Sequence, residues 1–245
     1  MELNRAAMKG EAKQLIGHTS PSPILVGLAF ALIAYVLNYL STRLVGVQVN
    51  PDDYYNALST GDYAYFQNLL ASYHPGAGAE ALDLAIRIML LILSAGFALY
   101  SLNVVRHYSA GFGNLFDGFG IFFRVLWLMV LMGIYIFLWT LLLVVPGIIA
   151  AYRYRMALYL LLDHPEWSPN QCIGESKRMM AGHKGELFVL DLSFLGWYIL
   201  AMVPFVTVWV TPYTQLTYAV YYDTLRANLG YAQPEEPPME GGATK

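Results

Sequence analysis

The pattern of apolar and polar positions divides this chain into long apolar stretches separated by shorter polar ones. One uninterrupted uncharged run covers 28 residues, from Val125 to Tyr152. A single helix of that length would be about 42 Å long, whereas the hydrocarbon core of a bilayer is about 30 Å thick. Proline removes a helical hydrogen-bond donor and glycine permits a reversal, so the run should fold back where these residues interrupt it. The pattern therefore predicts a membrane-buried helical hairpin that turns at Pro146-Gly147.

The remaining apolar stretches extend this prediction to the whole chain. Each is predominantly apolar and has about the length of a membrane span. The sequence thus predicts an all-α fold, a polytopic membrane helical bundle of about six transmembrane helices. The predicted spans are residues 24–41, 84–105, 125–145, 146–162, 187–206 and 212–229. We expect residues 1–229 to form one membrane domain and the acidic, proline-rich residues 230–245 to form a disordered tail.

Composition agrees with a membrane protein and excludes two other classes. Hydrophobic residues make up 57% of the 245-residue chain and charged residues only 13%, which does not fit a soluble globule. No surface that combines basic and aromatic residues is apparent, so we expect no nucleic-acid partner. The chain has one cysteine, Cys172, which excludes an internal disulfide.

Two short segments, residues 5–16 and 169–181, have the pattern of amphipathic helices that lie on a membrane surface. Asn4 is placed to cap the first, and Ser168 with Gln171 predicts a capping box for the second. A solvated, frayed N-terminus is the alternative for the first. We expect the basic side chains of these segments and their flanks to contact anionic lipid headgroups. These residues are Arg5, Lys9, Lys13, Lys177, Arg178 and Lys184.

The segment 42–83 is acidic and rich in tyrosine, and it predicts an external loop that contains short helices and lies near the headgroups. Six spans would leave both termini in the cytoplasm, with Arg43 as the one clearly external basic residue. That arrangement satisfies the positive-inside rule. The sequence therefore predicts a multi-pass protein of the cytoplasmic membrane with both ends inside.

Several ionisable or polar residues fall inside the later predicted spans. A charged side chain at this depth costs at least ~2.5 kcal/mol unless it is paired or hydrated, so each one needs a partner or a wet cavity. The candidate intramembrane network consists of Arg153, Arg155, Asp191, Gln215 and Tyr218. Within it, we expect Arg155 to pair with Asp191, with Arg153 as the substitute.

Four stretches carry a resemblance to a known family. They read GFGNLFDGFG, LLLVVPGIIAAYRYRMALYLLLDHP, ESKRMMAGHKGELFVLDLSFLGW and PYTQLTYAVYYDTL. Together they resemble the bacterial integral membrane proteins of the domain-of-unknown-function 975 family, DUF975, over nearly the whole chain. The resemblance implies a multi-pass plasma-membrane protein with the topology given above. Since the family has no established activity, the resemblance assigns no catalytic residue.

The residues by themselves leave three classes of function open. The first is a non-enzymatic membrane protein that binds lipid, a membrane protein partner or a second copy of itself. The alternative is a small transporter or channel, or a subunit of one, with a polar path between the fourth, fifth and sixth spans. An enzyme is the third, but the five histidines are dispersed and neither HExxH nor GxSxG occurs. We therefore expect no catalytic residue, no metal site and no cofactor.

Overall fold

The computed structural model describes residues 4–45, 51–61, 63–72, 76–201 and 204–231. All regular elements in these ranges are helical, which confirms the all-α prediction. The predicted tail beyond residue 231 lies outside the described residues. The helices are α1 Arg5–His18, α2 Pro23–Val45, α3 Pro51–Thr60, α4 Tyr63–Ser72, α5 Ala77–Val105, α6 Asn114–Asp117, α7 Phe122–Leu142, α8 Val144–Tyr154, α9 Ala157–Asp163, α10 Pro169–Met179, α11 Lys184–Leu192, α12 Leu195–Leu200 and α13 Pro204–Asn228; a 3-10 turn, Gly118–Ile121, precedes α7.

Three helical stretches of the described chain are long and apolar enough to cross a membrane. They are Pro23–Arg43, Ala77–Val105 and Asn114–Leu142. They correspond to the first three predicted spans and support a membrane protein. The other three predicted spans do not have this form, so a six-span bundle stays a prediction.

The fourth and fifth predicted spans are each broken into two short helices. The stretch 146–162 is divided between α8 and α9, with the break at Arg155 and Met156. The stretch 187–206 contains α11 and α12, separated at Ser193 and Phe194. The Ser193 hydroxyl donates to the Leu190 carbonyl, and such a local bond competes with the helical ladder. Neither stretch is the continuous helix that its hydropathy suggested.

The last helix, α13, begins at Pro204 and continues through Pro212. The predicted start at Pro212 is therefore wrong. Proline inside a helix removes one backbone hydrogen bond. Here the ring of Pro212 lies against Gly27 of α2, where a Cβ on the glycine would be 3.1 Å from the proline Cδ. This close packing helps to offset the lost bond, so α13 stays continuous.

The hairpin of α7 and α8 is present, but it turns earlier than predicted. The reversal is at Leu143, whose backbone is extended with φ −161° and ψ 147°. Pro146 instead occupies the first turn of α8, where a helix needs no N–H donor. Gly147 lies against α7, and a Cβ there would overlap Thr140 Oγ1 and lie 2.9 Å from Thr140 Cα. Glycine is required for close approach rather than for the turn itself.

Helices are present at both segments that were predicted to be amphipathic, and both are capped at their N-termini. The Asn4 side chain accepts from the amides of Ala6 and Ala7, and the Ser168–Gln171 capping box is complete. However, their apolar faces are covered by protein, because α1 packs on α13 and α10 packs on α7, α8 and α9. Their buried side chains are Met8, Ala12 and Leu15 in α1, and Cys172, Ile173, Ser176 and Met179 in α10.

The chain divides into two compact units, residues 31–91 and residues 1–30 with 92–245. In the smaller unit, α3 packs on α4, which confirms short helices in the predicted loop. Arg87 Nε lies 2.6 Å from Asp83, and the Ser41 hydroxyl donates to the same carboxyl group. The larger unit contains all the features described below.

Replacing Gly147 with alanine should destabilise the α7–α8 hairpin by about 1–3 kcal/mol, because the new methyl group would overlap Thr140. Thermal unfolding of the detergent-solubilised protein measures the effect. Gly133→Ala in α7 is the matched control, since no atom outside its own helix lies within 4 Å of the added carbon. Equal stability of Gly147→Ala and Gly133→Ala would contradict the hairpin packing.

Candidate functional site

A buried ion network joins the ends of three helices. Arg106, which directly follows α5, donates from Nη1 and Nη2 to the two carboxylate oxygens of Asp163 at 2.7 and 2.9 Å. Its Nε donates to Asp223 at 2.9 Å. Asp163 ends α9 and Asp223 lies near the end of α13. All three nitrogens of this guanidinium thus donate a hydrogen bond to a carboxylate.

Arg226 and Tyr222 complete the network. The Tyr222 hydroxyl donates to Asp163 at 2.7 Å, and Arg226 lies 3.8 Å from Asp163 and 4.0 Å from Asp223. The side chains of Arg106, Asp163 and Arg226 are at most 4% exposed. Burial alone would lower the pKa of Arg106, but the carboxylates of Asp163 and Asp223 outweigh it and raise that pKa. The two cations, Arg106 and Arg226, and the two anions, Asp163 and Asp223, therefore neutralise one another. This balance is what a buried network with a structural role requires.

Sequence reasoning missed this network. It proposed no role for Arg106, Asp163, Asp223 or Arg226. The available signal was that these charges stand near the ends of apolar stretches, but Arg106 and Asp163 are 57 positions apart. No local pattern links residues at such a separation.

A second polar cluster is centred on Asp191 in α11. Its two carboxylate oxygens accept from the hydroxyls of Tyr152 at 2.9 Å and Tyr218 at 2.6 Å. The Tyr198 hydroxyl lies 3.1 Å from that of Tyr218. This cluster therefore connects α8, α11, α12 and α13, and within the described part of the chain no cation forms an ion pair with Asp191.

Arg155 lies next to this cluster but is not bonded to it. Its guanidinium carbon is 5.0 Å from the centre of the Tyr218 ring. Among the described residues, no ion pair within 4 Å joins it to Asp191, so the expected direct pair is replaced by a contact through Tyr218. Arg153 does not take its place, because no ion pair within 4 Å joins it to Asp191 among the described residues; its backbone carbonyl accepts from the Ser176 hydroxyl at 2.8 Å.

Arg155 lines a cavity of about 260 Å³ together with Gln215 and Tyr218. The rest of the wall is mainly apolar and includes Met129, Met132 and Leu158. Two of the helices that contribute, α5 and α7, belong to candidate membrane spans. Of the five candidate network residues, the structure brings three to this cavity, links Asp191 through Tyr218, and leaves Arg153 outside the lining.

The predicted headgroup residues make several contacts within the protein. Lys9 donates to the Ser193 carbonyl at 3.1 Å and lies 4.0 Å from the centre of the Phe194 ring. Burial, followed by the positive charges of Lys13 and Arg5, lowers the pKa of Lys9. The remaining contacts are Lys13 over the ring of Tyr213, Lys177 over those of Tyr135 and Tyr154, Arg178 with Glu175, and Lys184 with the Met180 carbonyl.

Comparison with known proteins supports the resemblance for part of the chain. Residues 140–229 match the sequence model of DUF975, a protein family of unknown function. The match includes α8–α13, and with them both Asp191 and the Arg155 side of the cavity. Neither a search of curated proteins nor a search of solved structures found a match. The resemblance is therefore confirmed for residues 140–229.

Asp163→Asn should destabilise the protein by about 3–5 kcal/mol, because it leaves Arg106 buried with one carboxylate fewer. Chemical or thermal unfolding in detergent measures the loss. Glu166→Gln removes a nearby carboxylate that is 64% exposed and should cost at most about 1 kcal/mol. An Asp163→Asn protein as stable as Glu166→Gln would show that the ion network contributes little.

Proposed function

We propose that this chain is a non-enzymatic, multi-pass protein of the cytoplasmic membrane that binds lipid. The observation that carries the proposal is the outward apolar surface of α7. Its candidate span is only 11% buried, and Phe137 and Leu141 are 65% and 73% exposed. Apolar surface left in water costs about 25 cal/mol per Å², so a surface of this length is best covered by acyl chains. A membrane protein partner or a second copy of the chain would cover part of it in the same way.

The basic residues support contact with anionic headgroups on the side that the charge count assigns to the cytoplasm. Arg5, Lys13 and Arg178 are exposed, although their helices α1 and α10 pack on protein. A basic residue near an anionic bilayer contributes about 1 kcal/mol of attraction. The helices would therefore hold these charges at the surface, with their apolar faces inside the protein rather than in the acyl chains.

A variant with Arg5, Lys13 and Arg178 all changed to glutamine should retain fewer anionic lipids. At about 1 kcal/mol for each charge, the relative affinity for anionic over zwitterionic lipid should fall about 100-fold or more. Native mass spectrometry of protein released from mixed-lipid nanodiscs measures the retained lipids.

Arg43→Gln is the control, because this exposed basic residue is predicted to lie on the opposite side. An unchanged lipid preference in the triple variant would contradict headgroup binding. Release of the wild-type protein from membranes by alkaline carbonate would contradict the membrane proposal as a whole.

The second candidate is a small transporter or channel, and the cavity at Gln215 favours it. Pore-lining charge sets ion selectivity, and the lining residues include the cation Arg155 but no carboxylate. Such a path would select anions. The cavity would then be part of a passage between α7, α9 and α13.

If the chain conducts anions, proteoliposomes should release chloride faster than empty liposomes, and Gln215→Leu should reduce that release several-fold by removing a polar group from the path. A chloride-selective electrode measures the flux. Gln14→Leu, at an exposed position of α1, should leave the flux unchanged. Release no faster than from empty liposomes would exclude this function for chloride.

A further inference from the structure

Arg155 differs from the buried arginines of the ion network. Arg106 and Arg226 lie within 4.0 Å of two carboxylates each. By contrast, Arg155 is exposed, no described residue accepts a hydrogen bond from its guanidinium, and its guanidinium carbon lies 5.0 Å from the centre of the Tyr218 ring. Asp191 is the acidic residue that most influences it, but both oxygens of that carboxylate accept from tyrosine hydroxyls.

Arg155 faces a cavity that combines polar groups with apolar walls. Gln215 faces the same cavity of about 260 Å³, and its amide forms no hydrogen bond with a described residue. Met129, Met132 and Leu158 provide apolar surface beside these donors. A guanidinium has five N–H donors in a fixed planar arrangement that matches the two oxygens of a carboxylate or phosphate.

Charge distinguishes an anion from water as the occupant. Water can accept hydrogen bonds from Arg155, but it leaves a net positive charge in a wall formed partly by membrane-spanning candidates. An oxyanion supplies both the acceptors and the neutralising charge. The volume lies just below the 300–1,000 Å³ of common ligand pockets, which suits a headgroup with a short apolar portion.

We propose that this cavity binds one oxyanion group, a carboxylate or a phosphate, of an amphiphile. Arg155 holds the oxygens through two parallel N–H donors, Gln215 adds an amide donor, and the apolar portion lies on Met129, Met132 and Leu158. The site rests on the proposed lipid-binding function, because an amphiphile reaches it from a membrane. The same chemistry is offered by an anionic membrane lipid and by a free single-chain carboxylate.

The experiment uses the full chain in nanodiscs of zwitterionic lipid. Octanoate and inorganic phosphate are titrated separately from solution, and phosphatidylglycerol is introduced into the disc. Isothermal titration calorimetry follows the soluble probes, and native mass spectrometry follows the retained lipid. Arg155→Gln is compared with Arg153→Gln, which removes the same charge two positions away and outside the cavity lining.

We expect saturable binding of one molecule per chain for octanoate, phosphatidylglycerol or both. Arg155→Gln should weaken it about 10-fold or more, since a hydrogen bond to a charged group contributes about 1.5–3 kcal/mol. Arg153→Gln should stay within about two-fold of the wild type. Gln215→Glu, which places a negative charge in the cavity, should weaken binding as well.

Two results would overturn the site. One is the absence of saturable binding by all three probes; the other is an equal loss in Arg153→Gln and Arg155→Gln, which would indicate a general charge effect. Saturable binding of inorganic phosphate alone would also overturn it, because the apolar wall would then have no role. Failure of the wild type to remain in carbonate-washed membranes contradicts the proposed function instead, so the two failures are distinguishable. Unfolding temperatures of all variants establish that losses do not arise from misfolding.

Discussion

Neutralisation of buried charge is the constraint on which the larger unit depends. Arg106 and Asp163 form a bidentate pair with almost no exposed surface, and Asp223 and Arg226 balance the remaining charge. Breaking such a pair leaves a buried ion without a counterion, which is far more costly than forming the pair is favourable. The pair therefore mainly constrains how the helices are placed. It requires the ends of α5, α9 and α13 to meet, and these helices form three walls of the cavity.

The helix α13 organises both polar clusters. Tyr218 and Tyr222 stand four residues apart on one face, and they donate to Asp191 and Asp163 respectively. The threonines of the same helix act differently, because Thr214 and Thr217 donate to carbonyls within their own helix. These threonine hydroxyls are thus satisfied locally. The tyrosine hydroxyls, together with Asp223 and Arg226, connect α13 to other helices, while the ring of Tyr218 lies near the guanidinium of Arg155.

The differences between the last three predicted spans and the observed helices have a common physical origin. Hydropathy reports that a segment avoids water, but lipid and protein interior satisfy that preference equally well. Short helices such as α8, α9 and α11 each bury side chains against neighbouring helices, and none is long enough to cross a bilayer alone. Pro212 gave a second misleading signal, because its packing on Gly27 belongs to a contact that local sequence does not reveal.

The amino-acid sequence by itself determined the helical class, the first three candidate spans, the caps at Asn4 and Ser168, and the existence of the α7–α8 hairpin. These features follow from short-range periodicity, capping and turn chemistry, which act over a few residues. Only the tertiary structure decided that the chain reverses at Leu143, that Arg106 meets Asp163, and that Arg155 faces a cavity instead of Asp191. Those outcomes depend on which distant side chains compete for the same partner, and that competition is resolved only when the helices pack.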